Sequence, residues 1–295
     1  MRRYLVLGVI VSTSVAQAQP EPETVTDTEP QPTVSSSQKL SPRTDVVMAS
    51  YSASHNAQLD VRDLRLKAAA PVVMGDGYGV ALLLGYDSTQ VDNAVAANDH
   101  LTLHCFEAML GGGAGLAPGW SLRGSVGFAY SSDLQESTWS ALKNTSSAMV
   151  HHVIGSSDAL VAGLVYTSTS DLFPVLPLLG YVHQRDGSPF RIDIFLPHHV
   201  RAEYAFRPRL RGALGLEASG NTWTLQRAQT EFSARREGGA AFGEFQVGVT
   251  AMVHFEARAG MSVDRYTIPM QPDGVPLQQP MRASAFGQLS VVVAP

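Results

Sequence analysis

Apolar and polar residues alternate strictly along much of the chain after residue 45. In residues 121–131 the even positions hold leucine, glycine, valine, phenylalanine and tyrosine, and the odd positions hold small residues and Arg123. The stretches 200–207, 209–218 and 244–256 repeat this period of two. Alternation over eight or more residues predicts β-strands with one apolar face, and it excludes long helices, whose 3.6 period would mix the two faces.

The alternation predicts an all-β fold of about 14 strands, or 12 if the pair 189–196 and 200–206 merges or one of them leaves the sheet. Several predicted strands are about as long as the 9–11 residues that a tilted membrane strand needs, whereas ordinary strands peak near five or six residues. The predicted strands are 45–54, 60–70, 76–86, 99–110, 120–131, 157–167, 175–184, 189–196, 200–206, 209–218, 222–233, 242–253, 256–266 and 283–293.

The lengths of the predicted connections give a second signal. The longest are 87–98, 132–156, 234–241 and 267–282, and all of them follow odd-numbered strands. Even-numbered strands end in shorter turns, such as Gly220-Asn221. Outer-membrane barrels alternate short periplasmic turns with longer outer loops, so the pattern favours an antiparallel transmembrane β-barrel.

The polar face of the predicted strands carries charges of both signs, although charged residues make up only 16% of the chain. Because Arg or Lys at the bilayer midplane costs about 2–4 kcal/mol, we expect these side chains to face the lumen. Two interpretations stay open: internal ion pairs that brace a closed barrel, and a pore lining that sets selectivity. The candidate lumen-lining residues are Arg123, Arg201, Glu203, Arg209, Arg211, Glu217, Glu244, Glu256 and Arg258.

Aromatic residues tend to lie near the ends of the predicted strands, where membrane barrels carry aromatic girdles. Strand aromatics of a soluble sandwich are the alternative interpretation. The residues concerned are Tyr78, Tyr86, Trp120, Tyr130, Tyr166, Tyr204, Phe206, Trp223 and Tyr266.

The N-terminus predicts export. Arg2 and Arg3 precede an apolar run over residues 4–15, which is too short to span a bilayer as a helix, and Ala16-Gln17-Ala18 offers small residues for cleavage after Ala18. We therefore expect a signal peptide over 1–18 and transport through the general secretory route. Residues 19–43 are rich in Pro, Glu and Ser and predict a disordered leader, with a partner-binding tail as the alternative. The barrel domain would occupy residues 44–295.

The residues Pro174 to Tyr181, Phe190 to Pro197, Val200 to Phe206 and Leu210 to Thr224 resemble a bacterial family of outer-membrane β-barrels that is classed as a domain of unknown function. Gly260 followed by Asp264-Arg265-Tyr266 is similar to the final hairpin of that family. The resemblance implies a barrel and no assigned activity. The chain departs from barrel proteins in ending Val293-Ala294-Pro295, since such proteins commonly end in an aromatic residue that the assembly machinery reads.

The sequence offers little catalytic or metal-binding chemistry. His151-His152 and His198-His199 are adjacent pairs in predicted loops, and neighbours along a strand would point to opposite faces, so neither pair predicts a metal site. The stretch 181–187 is similar to the catalytic stretch of outer-membrane phospholipases, but Arg185 stands where the nucleophilic serine would be. His183 could act as a base only for a hydroxyl brought from elsewhere, such as Ser168 or Ser170. We expect no cofactor and no catalytic residue.

Together these features predict an outer-membrane barrel with the membrane lipid and the barrel-assembly machinery as partners. The net charge of −5 gives no case for nucleic acid. The first functional hypothesis is a diffusion channel or transporter for small or hydrophobic solutes, whose cargo the sequence does not identify. The alternatives are a structural or adhesive barrel with a plugged lumen and, less favoured, a lipid-modifying enzyme. A long loop folding inward, for which 132–156 is the candidate, would favour the channel.

Overall fold

The computed structural model describes residues 46–55, 59–93, 100–135, 138–168, 174–227, 230–269, 276–278 and 282–293. The predicted signal peptide and leader lie outside the described residues. Fifteen strands are found: β1 Val46–His55, β2 Leu59–Gly75, β3 Tyr78–Asn93, β4 His100–Ala117, β5 Trp120–Ser132, β6 Leu142–Ile154, β7 Asp158–Thr167, β8 Val175–Gln184, β9 Phe190–Leu196, β10 His199–Arg207, β11 Leu210–Arg227, β12 Thr230–Gly248, β13 Val253–Pro269, β14 Pro276–Gln278 and β15 Arg282–Val293. None of the helices in this part of the chain is long and apolar enough to cross a membrane.

Fourteen of the strands form a closed antiparallel ring. Each pairs with its sequence neighbours, β13 pairs with β15, and β15 pairs with β1 along the register Val47↔Val293 to His55↔Ala285. The short strand β14 pairs with β13 alone among the described strands. Because closure gives every ring strand two partners, it satisfies the backbone groups that an open edge would leave unpaired in lipid. The predicted fold class and the count of 14 are confirmed.

The count of 14 is correct although several of the predicted elements are wrong. The predicted connection 132–156 contains β6, in which Asn144, Ser146 and His152 fall on the face that carries apolar residues elsewhere and hide the alternation. The predicted turn at Gly220-Asn221 lies inside β11, where these residues pair with Glu237 and Arg236. The predicted connection 234–241 is likewise strand. The predicted strand 222–233 joins the end of β11 to the start of β12, so β11 and β12 were predicted as three strands. This extra strand and the missed strand β6 cancel in the count.

Connections differ in length at the two ends of the ring. Those after even-numbered strands are short, such as 76–77 and 118–119, where Gly77 and Gly119 have φ values of 82° and 76°. The longer connections 133–141 and 168–174 follow odd-numbered strands, but so does the two-residue connection 197–198. The predicted parity holds only in part, because 168–174 follows a strand that the prediction numbered even and the predicted connection 234–241 lies in β12. We call the two ends the short-turn end and the long-loop end. The pair Val47↔Val293 places the start of β1 and the end of β15 at the short-turn end.

The apolar face of the strands points outward and the polar face points inward. Leu214 is 71% exposed and Leu179 is 61% exposed, whereas Glu244 is 3% exposed. This is the reverse of a soluble barrel, because an outer apolar surface is solvated by lipid. The inside of the ring also holds buried serine, threonine and aspartate side chains, among them Ser50, Asp63, Thr89, Asp264 and Ser290.

Most of the aromatic residues predicted as girdles lie on the outer face. Tyr78, Trp120 and Tyr204 lie towards the short-turn end, and Tyr166 lies near the long-loop end of β7. Trp223 and Tyr266 are different, because both are buried, at 2% and 4% exposure. The prediction is wrong for these two residues, which lie on the inward face in the long-loop half of the ring.

The histidine pairs are placed only partly as predicted: His198 lies in a turn, whereas the other three lie in strands. His151 and His152 lie in strand β6, where His151 pairs with Ser121 on the inner face and His152 stacks on Trp120 on the outer face with ring centroids 4.0 Å apart. His198 lies in a turn and His199 begins β10. Since each pair is divided between two orientations, neither forms a chelating site.

Candidate functional site: the barrel lumen

Eight of the nine candidate lumen residues lie in strands on the inward face. They come from one arc of the ring and one strand opposite it: Arg123 on β5, Arg201 and Glu203 on β10, Arg211 and Glu217 on β11, Glu244 on β12, and Glu256 and Arg258 on β13. Arg209 instead lies in the turn between β10 and β11, because β11 begins at Leu210. Its backbone carbonyl accepts a hydrogen bond from Gly248. Arg209 therefore belongs to the short-turn rim.

Glu244 is the centre of an ion-pair network on the inner wall. It accepts hydrogen bonds from Arg201 at 2.6 Å and from Arg258 at 2.9 Å. Arg258 also donates to Glu217 at 2.9 Å, and its guanidinium carbon lies 4.0 Å from the centre of the Phe242 ring. A buried carboxylate needs such partners, because an unpaired charge out of water is costly. The network joins four neighbouring strands, β10 to β13.

The same network continues towards the short-turn end through Glu203. Its carboxylate oxygens lie 3.3 Å from Arg201 and 3.3 Å from Arg211. Arg211 is exposed on the inner face, as are Arg123 and Gln184. Solvent-accessible space therefore remains inside the short-turn half of the ring, next to charged side chains.

The long-loop half contains a second network that the sequence analysis missed. Arg236 of β12 donates to Asp63 of β2 at 3.0 Å and to Asp264 of β13 at 3.2 Å. Thr89 donates to Asp63 at 2.7 Å. Arg236 was missed because it fell in a predicted connection, whereas Asp63 shares a face with Arg65 and Lys67 and could have been found by alternation.

Opposite walls of the ring meet at the long-loop end. β4 and β11 lie seven strands apart in either direction around the ring. Nevertheless Leu103 of β4 packs in one buried cluster with Trp223 and Leu225 of β11 and Ala234 of β12. The interior of an eight-strand barrel is just wide enough to be filled by side chains. A 14-strand ring is wider, so side chains of opposite strands can meet only where part of the wall bends inward. The outer ends of β11 and β12 therefore cross the mouth; we call residues 221–227 and 230–237 the mouth hairpin.

The other face of the mouth hairpin is covered by the connection between β5 and β6. Ser140 donates to the Glu231 carboxylate at 2.6 Å, and Thr224 donates to the Ser140 carbonyl at 3.3 Å. Ser140 belongs to a short 3-10 helix, Trp139–Ala141. Part of the predicted loop 132–156 thus lies over the mouth, while its apolar residues Met149, Val150, Val153 and Ile154 belong to β6.

Two glycines lie at the base of the mouth hairpin, where β11 has passed its last pair with β10, His199↔Glu217, while β12 stays paired with β13 as far as Arg235↔Thr267. Gly220 of β11 pairs with Glu237, and Gly238 of β12 pairs with Ser219 on one side and Asp264 on the other. A Cβ atom on Gly238 would lie 2.4 Å from both Asp264 Oδ1 and the Val263 carbonyl oxygen. The close approach of β13 therefore requires a glycine at this bend.

The closed mouth buries polar atoms without partners. Trp223 Nε1, Tyr266 OH and Thr222 Oγ1 are shielded from solvent and find no hydrogen-bond partner among the described residues. A buried donor or acceptor left unpaired costs about 1–3 kcal/mol relative to its hydrated state. The closed arrangement is therefore stabilised by ion pairs and apolar packing and opposed by these unpaired groups.

His183 lies away from the lumen, on the outer face at the short-turn end. Its Nδ1 atom is 2.8 Å from Asp158 Oδ1, which also accepts a hydrogen bond from Tyr181 at 2.6 Å. Ser168 follows the opposite end of β7, about 30 Å away at roughly 3.3 Å per strand residue. The alternative in which His183 activates Ser168 is therefore wrong, and Ser170 lies outside the described residues. In the part of the chain that the structure describes, no three His, Cys, Asp or Glu side chains are grouped for a metal ion.

No protein-family model matches the chain, and no curated protein matches its sequence. Among solved structures, the chain is similar to an outer membrane channel from Pseudomonas putida F1, with 13% identity, 89% of this chain and 100% of that chain covered, and a TM-score of 0.50. It is also similar to the NanC porin, with 7% identity, coverage of 84% and 98%, and a TM-score of 0.43. The Salmonella typhi outer membrane phospholipase has 10% identity, coverage of 84% and 90%, and a TM-score of 0.38.

The similarity to the Pseudomonas channel shows that the fold is that of outer-membrane β-barrels. Membership of the family of unknown function that residues 174–224 resemble gains no support, since no family model matches. The function therefore has to be inferred from the residues of the lumen.

Proposed function

We propose that the protein is an outer-membrane diffusion channel for small solutes whose outer mouth is closed by the mouth hairpin. The observation that carries this proposal is the contrast between the two halves of the lumen. The short-turn half keeps accessible space beside Arg123 and Arg211, while the long-loop half is filled by the cluster around Trp223. A wide ring that is open inside and closed only at one mouth is suited to controlled passage.

The orientation follows from the connections. Outer-membrane barrels place short turns in the periplasm and longer loops outside, so the mouth hairpin would face the exterior. The first described residues of β1 would then lie on the periplasmic side, where the predicted leader would extend. Export through the secretory route and insertion by the barrel-assembly machinery are parts of this proposal, as is contact of the outer apolar face with lipid.

The hairpin is better suited to a movable lid than to a permanent plug. Its bend contains Gly220 and Gly238, and lifting it would hydrate Trp223 Nε1 and Tyr266 OH. A structural barrel with a plugged lumen is the second candidate, and the ion pair between Arg236 and Asp63 favours it. The lipid-modifying enzyme has less support, because His183 is not brought to Ser168. The similar Pseudomonas protein is described as a channel, which agrees with the first candidate.

Solute entry into liposomes tests the proposal. A truncated variant joins Gly220 to Glu237, which are paired in register, through a two-residue Asn-Gly turn and so removes the hairpin without breaking the ring. Liposomes containing this variant should swell in neutral sugars faster than those containing the wild type. If the folded, truncated barrel admits no sugar, the lumen is closed elsewhere and the channel proposal fails.

A further inference from the structure

Arg123 differs from the arginines of the ion-pair networks and from Arg65, which forms no hydrogen bond within the described residues but lies near the carboxylates of Asp63 and Asp87. Arg201, Arg211, Arg236 and Arg258 each donate to at least one carboxylate. Arg123 forms neither a hydrogen bond nor an ion pair with any residue in the described ranges, and it is exposed to the lumen. His151 on the next strand is close enough to interact with it electrostatically. An unpaired guanidinium in a confined space can bind an anion, because it presents five donors in a planar fork.

The inner face around Arg123 carries no carboxylate on β5 or β6: Ser121 and His151 lie on one side of it, and Ser125 and Ser147 lie on the other. In register, Arg123 lies between Gly113 of β4 and Met149 of β6, and these pair in turn with Gly79 and Gly163. A Cβ on Gly113 would lie 3.2 Å from the Arg123 Cγ atom, and a Cβ on Gly163 would lie 2.6 Å from the Met149 Cγ atom. The arginine stem and the methionine side chain therefore lie across the two glycines, and the Met149 side chain offers apolar contact beside the guanidinium.

The wall across the lumen carries charges of both signs, and most of them are paired with one another. β5 and β12 are seven strands apart in either direction, so they face each other. Arg123 lies three residues from the short-turn end of β5, and Glu244 lies four residues from the short-turn end of β12. Glu256 is on the adjacent strand β13. Because the arginines of that wall are already held by carboxylates, Arg123 is the cation in this part of the lumen that lacks a carboxylate partner among the described residues.

We propose that Arg123 binds the anionic group of a small organic anion whose apolar part lies against the Met149 side chain. The proposal rests on the proposed channel function, and it names the solute class that the lumen selects. The anion would be a monocarboxylate or a compound of similar charge, since one guanidinium and one nearby imidazole are available. Neutral solutes and cations would pass this point without a binding step.

Binding of hexanoate to the full-length mature protein in lipid nanodiscs tests the proposal without requiring conduction. Saturation-transfer NMR would compare the wild type with Arg123→Gln and with Arg211→Gln, which removes the same charge from an arginine that is paired with Glu203. Loss of one charge-assisted hydrogen bond should weaken hexanoate binding about tenfold in Arg123→Gln. Binding to Arg211→Gln should stay unchanged, and Arg123→Lys should restore part of the affinity.

Acetate and hexylammonium complete the test. Acetate should bind more weakly than hexanoate, and hexylammonium should not bind. The proposal is overturned if the wild type binds no hexanoate, if both arginine variants lose it equally, or if hexylammonium binds as well. Absence of conductance with Arg123-dependent hexanoate binding would contradict the channel but leave the anion site standing.

Discussion

Arg236 Nη1 donates to Asp63 Oδ2 over 3.0 Å, although β12 and β2 are separated by four steps around the ring. The same guanidinium contacts Asp264 on the adjacent strand β13. One side chain therefore fastens the base of the mouth hairpin to two different parts of the wall. Asp63 and Asp264 are both buried, so neither carboxylate has water as an alternative partner.

Removing this guanidinium should open the mouth. Arg236→Gln leaves two buried carboxylates without their cation, a change that typically costs about 3–5 kcal/mol. The hairpin should then lift and hydrate them, which exposes Trp223. In a background with Trp120→Phe and Trp139→Phe, Trp223 is the one remaining tryptophan of the three in the chain. Acrylamide should quench its fluorescence more strongly in Arg236→Gln than in the matched variant Arg258→Gln, and equal quenching would contradict the fastening role.

The bend in β12 should not tolerate a side chain. Gly238→Ala places a Cβ 2.4 Å from a side-chain and a backbone oxygen of β13, so the free energy of unfolding should fall by about 1–3 kcal/mol. Gly287 is the control, because a Cβ there meets no atom within 4 Å and a strand alanine is favoured over glycine. Urea unfolding in lipid vesicles would measure both variants. A Gly287→Ala effect as large as that of Gly238→Ala would contradict the explanation.

A change of charge on the outer face of β11 should impair membrane assembly more than a change of charge on its inner face. Leu214→Arg puts a cation into lipid at a cost of about 2–4 kcal/mol near the midplane and should impair assembly. Arg211→Leu changes a lumen residue whose partner Glu203 keeps a second contact with Arg201, so assembly should be nearly normal. A liposome folding assay read by gel mobility compares them, and equal yields would show that the faces are assigned wrongly.

The inner network should depend on its central carboxylate. Glu244→Gln removes the acceptor shared by Arg201 and Arg258, and because these arginines are partly exposed we expect a loss of about 1–3 kcal/mol in unfolding free energy. Glu256→Gln is the matched control, since within the described ranges Glu256 has no ion pair of its own. Urea titration should show a clear shift of the midpoint for Glu244→Gln and a small one for Glu256→Gln.

The period-two alternation of the sequence was sufficient to predict which residues face lipid and which face the lumen. It was insufficient to predict how the mouth is closed. Leu214 and Glu244 could be assigned to opposite environments because lipid and lumen impose a strict period of two. β6 was missed because Asn144 and Ser146 lie on its outer face and remove that contrast. The faces of a strand are a local property, so sequence periodicity reports them wherever the contrast is present.

The sequence also misplaced the end of a hairpin. Gly220-Asn221 has the composition of a turn, but in the structure it continues β11 through the bend below the mouth hairpin. Glycine occurs at changes of chain direction both in tight turns and in bent strands. Only the pairing of Gly220 with Glu237 and of Asn221 with Arg236 shows that this position is a bent strand. The packing of Leu103 against Trp223 could not be predicted at all, since these residues meet across the full width of the ring.

The central claim, a channel closed by a movable lid, is tested most directly by reversible cross-linking during planar-bilayer recording. Ser140→Cys and Glu231→Cys replace an exposed pair in direct contact between the β5–β6 connection and the mouth hairpin, with Cys105→Ser removing the native thiol. A short bifunctional methanethiosulfonate should hold the mouth shut and suppress ion current, and reduction should restore openings. Full conductance while cross-linked, or no conductance after reduction of the folded protein, would contradict the account.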